Sequence, residues 1–194
     1  MANPMVILVT GANQGLGYYA SEILAKSGNY IILIGSRDLN KGQEAAQKIL
    51  QEPGNPSSTK VEAVQIDLSS DESIHLAAKY VGERYGRLDI LVNNAGYYDF
   101  REGTDGGPSW RQIFHEQLDT NLIGQEIVTQ EFLPLLHKST EGARSPRIVF
   151  TTSTLGSLTM ASDGDGNPVK LQHKLYRTSK SALNMLAVTY ANQL

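Results

Sequence analysis

The sequence predicts a three-layer α/β/α fold, with a doubly wound parallel sheet between two layers of helices. Three observations predict it. Five short apolar runs alternate with segments of helical periodicity along the chain. The runs are unbroken rather than alternating, as in parallel strands covered on both faces. Every glycine-bearing or polar stretch with recognisable chemistry follows the carboxyl end of a run, where open parallel sheets bind their ligands. There is no repeat, low-complexity tract or interdomain linker, so residues 1–194 read as one domain.

The first strand is Met5-Val6-Ile7-Leu8-Val9. It runs directly into Thr10-Gly11-Ala12-Asn13-Gln14-Gly15-Leu16-Gly17, and helical spacing resumes from Tyr18 to Lys26. Strand, glycine-rich turn and helix together present backbone N–H groups and a helix N-terminus to phosphate. Tyr30 to Ile34 is a second strand, ending at Gly35-Ser36-Arg37-Asp38. In a dinucleotide fold this tip meets the adenosine ribose. The hydroxyl of Ser36 and the guanidinium of Arg37 suit a 2′-phosphate, hence NADP over NAD. The alternative has Arg37 as a solvated loop charge and Asp38 on the ribose diol.

Asn40 to Leu50 is a helix with Asn40 as its expected N-cap, and Pro53 to Ser58 is a turn-forming loop. Val61 to Ile66 is the third strand. Asp67-Leu68 at its end either meets an adenine amino group or caps the next turn. A helix follows from Ser70 to Tyr85, its opening acids suited to the helix dipole. Leu88 to Val92 is the fourth strand, and the amides of Asn93-Asn94 can tie neighbouring strands before Ala95-Gly96. Tyr97 to Ser109 is an irregular loop whose Tyr97, Tyr98 and Phe100, with Trp110, either line a pocket or pack. Trp110 to His137 holds one or two helices, with Pro134 able to bend or close the second. Asn121 lies there among apolar neighbours and must find partners. Arg147 to Phe150 is the fifth strand. Ser157 to Gln172 is a turn-rich excursion, and the final helix begins at His173. Right-handed crossovers and a phosphate turn after the first strand give the order 3-2-1-4-5.

Composition narrows the function. The net charge is −3 without a basic block, which points to no nucleic-acid and no membrane-surface partner. No apolar run reaches the ~18 residues of a membrane span, and no signal-peptide pattern opens the chain. With no cysteine there is neither disulfide nor thiolate metal site. The cytoplasm is therefore the expected location. Asp163-Gly164-Asp165 lacks the further oxygen ligands of a calcium loop, so no metal is expected.

Tyr176 and Lys180 stand four residues apart, on one helix face. An ammonium beside a phenol favours the phenolate, which suits such a tyrosine to give or take a proton. Taken with Thr10–Gly17, Asp67, Leu88–Gly96, Asn121, and Ser153 with Gly156, this pair makes the whole chain resemble the short-chain dehydrogenase/reductase family.

The resemblance implies a Rossmann-like, NADP-dependent oxidoreductase moving a hydride between nicotinamide and a carbonyl or secondary alcohol. Tyr176 would be the acid/base. Lys180 would support it and hold the nicotinamide ribose, Ser153 would hold the substrate oxygen, and Asn121 would bend its helix and keep a relay water. Gly11, Gly15 and Gly17 would face the pyrophosphate, and Asn13, Gln14 and Leu16 would also bind the cofactor. Ser36 and Arg37 would take the 2′-phosphate, Asp67 and Leu68 the adenine, and Asn93, Ala95, Gly96, Tyr176 and Lys180 the rest of the cofactor. A small-molecule substrate and a homo-oligomer built through the Asn121 and Tyr176 helices are implied as well.

Two departures from the family pattern stand out. Ser153 and Tyr176 are separated by an apparent insertion of about ten residues, which a surface loop absorbs at little cost. Relatives also continue past the Tyr176 helix into a sixth and a seventh strand, so the chain is expected to be incomplete at its C-terminus. The alternative to an active enzyme is a truncated, catalytically inactive nucleotide-binding protein or fragment.

Overall fold

The computed structural model describes residues 4–98, 107–140, 145–163 and 173–191. Five strands form one parallel sheet in the order β3-β2-β1-β4-β5: β1 Met5–Val9, β2 Tyr30–Ser36, β3 Lys60–Gln65, β4 Ile90–Asn93 and β5 Arg147–Phe150. This is the predicted order. Helices α1 (Gly15–Ser27), α2 (Leu39–Gln51), α3 (Asp71–Tyr85), α4 (Trp110–Leu118) and α5 (Gly124–Thr140) connect the strands. The short α6 (Leu158–Ser162) and the final α7 (Lys174–Ala191) follow β5.

Strand pleating divides the core in two. Val6, Leu8, Leu33 and Leu91 face a layer holding Ile74, Val81, Phe132 and Leu136 of α3 and α5. Ile7, Val9, Ile32 and Ile34 face the other way, onto Ala25, Ala45, Ala46 and Ile49 of α1 and α2. Both faces of β1 and β2 are thus covered, which is why Met5–Val9 and residues 31–34 are unbroken apolar runs.

Several boundaries differ from the expected ones for physical reasons. The N-cap of α2 is Asp38, not Asn40: its carboxylate accepts from the Lys41 N–H at 3.2 Å, and Asn40 lies exposed inside the helix. Helix α1 starts at Gly15, three residues early, because the phosphate turn itself winds into the helix. Pro134 neither ends nor divides α5, which runs on to Thr140. Between α4 and α5 lies a π-helical turn, Asp119–Ile123, so the expected bend at Asn121 takes the form of one wide turn.

Phe100 and the segment 164–172, with Asp165 of the supposed calcium loop, lie outside the described residues. No described helix is long and apolar enough to cross a membrane.

The amino ends of the strands are closed by a buried carboxylate. Asp89 is fully buried and accepts from the Val6 N–H at 2.7 Å, from the Ser139 hydroxyl at 2.5 Å and from Arg87 at 3.3 Å. Its own N–H and carbonyl tie β4 to β1 and β5. Asp89→Ala would strand all three donors. It should cost about 3 kcal/mol of stability in urea unfolding, with the slope of the transition unchanged.

Candidate functional site

At the opposite, carboxyl ends of the strands lies a cleft of about 630 Å³. Its lining includes Gly11, Asn13, Gln14, Gly15, Leu16, Ser36, Arg37, Asp67, Leu68, Ala95, Gly96, Tyr176 and Lys180, all predicted from the sequence, and also Tyr97, Tyr98, Thr120, Thr151 and Thr152.

One end of the cleft is the turn after β1. Gly11 has φ +63°, and a Cβ there would meet Ala95 Cα at 2.8 Å, so only glycine lets the turn lie this close to β4. Helices α2, α3 and α4 are each capped by a side chain, Asp38, Ser70 and Ser109. Helix α1 is not: Gln14 makes no capping bond, and no acid stands in the first turn. Its leading N–H groups and positive dipole end are left to the cleft, which suits a phosphate. The open space beside Gly15, with nothing within 4 Å of the missing Cβ, fits that reading.

Two expected cofactor residues are not among those lining the cleft. Gly17 is buried away from the cleft, where a Cβ would lie 2.5 Å from Asn94 Nδ2 and 3.0 Å from the Gly11 carbonyl oxygen. Having no Cβ there permits the close packing of α1 against the strand ends. The Asn93 side chain is fully buried and donates to Thr129 Oγ1 at 2.8 Å. Its neighbour Asn94 does the tying, donating to the carbonyl oxygens of Thr10 at 2.9 Å and Gly11 at 3.3 Å. The Thr10 hydroxyl in turn accepts from the N–H groups of Asn94 and Ala95 at 3.0 Å.

At the adenosine end, the Ser36 hydroxyl is buried and committed to the Asp38 carbonyl oxygen at 2.8 Å. The guanidinium of Arg37 is exposed and makes no ion pair or hydrogen bond among the described residues. Asp67 takes the turn role: its Oδ1 accepts from the N–H and the hydroxyl of Ser69 at 3.0 and 2.8 Å.

The other end of the cleft gathers Asn121, Tyr176 and Lys180. Asn121 is fully buried in the π-helical turn. Its Oδ1 accepts from the Tyr97 N–H at 2.6 Å, and its Nδ2 donates to the Tyr97 carbonyl oxygen at 2.8 Å and to Ser179 Oγ at 3.1 Å. The Lys180 ammonium is almost wholly buried, 5.7 Å from the centre of the Tyr176 ring, and donates to the Thr151 carbonyl oxygen at 2.9 Å. Burial pushes the Lys180 pKa down from its ordinary 10.5. A Cβ on Gly96 would stand 3.6 Å from Asn121 Oδ1 and 3.7 Å from Lys180 Nζ, so these groups surround one point.

Ser153 lies just beyond this cluster. Its Oγ accepts from the Leu155 N–H at 3.1 Å and caps the 3-10 turn Thr154–Gly156, and it is not among the residues lining the cleft. Tyr98 stands edge-on to Tyr176 at 5.1 Å between ring centres, and its hydroxyl is hydrogen-bonded to His173 Nδ1. Trp110 is half exposed under the Lys174 ammonium, 4.8 Å from its ring centre.

Sequence reading missed what holds α7 in place. A Cβ on Gly156 would lie 2.8 Å from the carbonyl carbon of Lys180, so the 3-10 turn and α7 touch backbone to backbone. Ser181 and Asn184 donate to the Gly156 carbonyl oxygen at 2.9 and 3.2 Å, and Thr152 donates to Asn184 at 2.5 Å. A glycine three residues past Ser153 was the available signal.

An open α/β sheet with an uncapped helix at its first turn, and a tyrosine–lysine pair at the far end of the same cleft, is an arrangement suited to a phosphate-bearing ligand and to proton transfer. Comparison with known proteins gives the family. The short chain dehydrogenase family model matches residues 5–194. The short-chain dehydrogenase anuI of Penicillium roqueforti is 41% identical over 97% of this chain and 72% of its own length. Among solved structures, the putative carbonyl reductase Sniffer of Caenorhabditis elegans superimposes with a TM-score of 0.78 at 29% identity, covering 100% of this chain and 81% of that one. An alcohol dehydrogenase of Thermococcus sibiricus, complexed with 5-hydroxy-NADP, gives 0.75 at 27% identity, covering 97% and 71%. The chain belongs to the short chain dehydrogenase family. It is thus a dehydrogenase/reductase, of a family that uses a nicotinamide cofactor on small-molecule substrates.

Lys180 gives a pH-dependent prediction. Its folded pKa is depressed, so the unfolded chain binds more protons between that value and 10.5, and stability rises with pH across this alkaline window. Lys180→Met lacks this contribution. The Tm of the wild type should therefore climb relative to that of the variant as pH approaches 10.5, in paired thermal melts.

Proposed function

We propose that the protein is an NADP-dependent reductase of a ketone or aldehyde, or the corresponding alcohol dehydrogenase, with Tyr176 as the acid/base. The observation that carries this reading is the buried Lys180 ammonium beside Tyr176. A cation kept from water with one neutral oxygen as its partner among the described residues is costly, and such costs gather at reacting sites.

A nicotinamide dinucleotide bound in the cleft would supply or accept the hydride. The chain's own groups handle the oxygen and its proton. In the reducing direction the Tyr176 hydroxyl gives its proton to the carbonyl oxygen as charge develops there. Ser153 lies outside the residues lining the cleft, but its bond to Leu155 uses only the acceptor side, so its O–H would have to turn toward the cleft to donate to the same oxygen. Lys180 stabilises the phenolate left on Tyr176 and is itself held by the Thr151 carbonyl oxygen. Asn121 fixes the Tyr97 backbone and shapes the π-helical turn beside them.

Two features support NADP over NAD. Asp38, the rival for a ribose diol, also lines the cleft but has Oδ1 committed to capping α2, while the Arg37 guanidinium there has no ion pair or hydrogen bond among the described residues. The Thermococcus sibiricus relative was solved with an NADP derivative. The names of the Sniffer and Thermococcus relatives support a carbonyl or alcohol substrate. With the Ser36 hydroxyl bound to the Asp38 carbonyl oxygen, Arg37 is the better candidate for the phosphate contact.

Isothermal titration should show NADPH binding more tightly than NADH. Arg37→Ala should weaken NADPH about tenfold and leave NADH unchanged, the size expected for one charge-assisted contact. Tighter NADH binding by the wild type would reverse the cofactor assignment. On a panel of ketones and aldehydes, Tyr176→Phe should lower kcat by about a hundredfold or more; undiminished turnover would exclude Tyr176 as the proton donor.

A further inference from the structure

Behind the cleft lies a buried polar chain that the proposed chemistry does not use. Gln125, in the first turn of α5, is fully buried, and its Nε2 donates to the Ala95 carbonyl oxygen at 2.7 Å. Thr129, one turn on, donates to the Gln125 carbonyl oxygen at 2.7 Å and accepts from Asn93 Nδ2 at 2.8 Å. Two acceptors of this polar network, Gln125 Oε1 and Asn93 Oδ1, are buried with no protein hydrogen-bond partner among the described residues, as is Asn55 Oδ1 elsewhere in the fold. Each is an acceptor that no protein donor among the described residues meets, which native cores largely avoid.

What the chain holds is the Ala95 peptide. The Ala95 N–H is bound by Thr10 Oγ1 and its carbonyl oxygen by Gln125, so the unit is fixed from both ends. Gly11 approaches to where a Cβ would touch Ala95 Cα, and the next residue, Gly96, sits between Asn121 and Lys180. A shift of Ala95 would disturb both the phosphate turn and the Tyr176–Lys180 end of the cleft.

We propose that Gln125 is a positioning residue for this site, setting the height of the Ala95-Gly96 backbone at the expense of core stability. The proposal rests on the nucleotide-binding reading above. A methionine at 125 would fill similar volume and remove the unmet Oε1, but would leave the Ala95 carbonyl oxygen loose. The expected result for Gln125→Met is a Tm equal to or above wild type, with dinucleotide Kd raised about tenfold, one lost hydrogen bond's worth.

Gln125→Glu supplies a conservative rescue. Its carboxyl donates to Ala95 only when protonated, so affinity should recover as pH falls, while Gln125→Met stays flat over the same range. Titration calorimetry with NADPH and thermal melts read both variants. Wild-type affinity in Gln125→Met, or weakened affinity accompanied by a lowered Tm and no pH-dependent recovery in Gln125→Glu, would overturn the positioning role alone. A wild-type chain that binds no dinucleotide would remove the functional reading first and this inference with it.

Discussion

Lys180 keeps its ammonium away from water, and the packing around it makes that tolerable. Its partner is the backbone carbonyl of Thr151, immediately after β5, so the helix carrying the lysine must stay locked to the end of that strand. The lock is built from close backbone approach at Gly156 and from Ser181, Asn184 and Thr152. The far end of α7 is clasped to α5: Tyr190 donates to Glu126 at 2.9 Å and accepts from Gln130 at 2.7 Å. Burial pushes the Tyr190 phenol up to about 12, so it stays a donor. Helix α7 is therefore pinned at both ends around a costly charge.

The two ends of the sheet are treated in opposite ways. At the amino ends a fully buried carboxylate meets its donors and closes the structure. At the carboxyl ends polar groups are left open or incompletely met: α1 has no cap, Arg37 has no partner among the described residues, and Lys180 has one carbonyl. Gln125 and Asn93 extend this into the layer behind the cleft. Several incompletely met groups thus lie on the side where a ligand would complete them, as expected where function overrides stability, while one more, Asn55 Oδ1, lies in the loop before β3.

Much of this was legible beforehand. Unbroken apolar runs, the glycine turn after Val9 and the four-residue spacing of Tyr176 and Lys180 depend on local periodicity and on backbone sterics. The errors came where neighbouring residues of similar chemistry compete. Asn93 and Asn94 are both amides after a strand, but pleating turns one toward Thr129 and the other toward Thr10 and Gly11. Asp38 and Asn40 are both good caps, and the one placed to reach the Lys41 N–H wins. Gly17 and Gly11 look alike in the motif, yet one packs a helix and the other bends a turn.

The amino-acid sequence by itself determined the strand order, the phosphate turn and the identity of the tyrosine–lysine pair, because these follow from short-range patterns and the handedness of crossovers. Only the tertiary structure decided which side chains meet. Thr151 against Lys180, Gln125 against Ala95 and Gly156 against the Lys180 backbone join residues about 25 to 30 positions apart, through contacts between packed elements that no local period encodes.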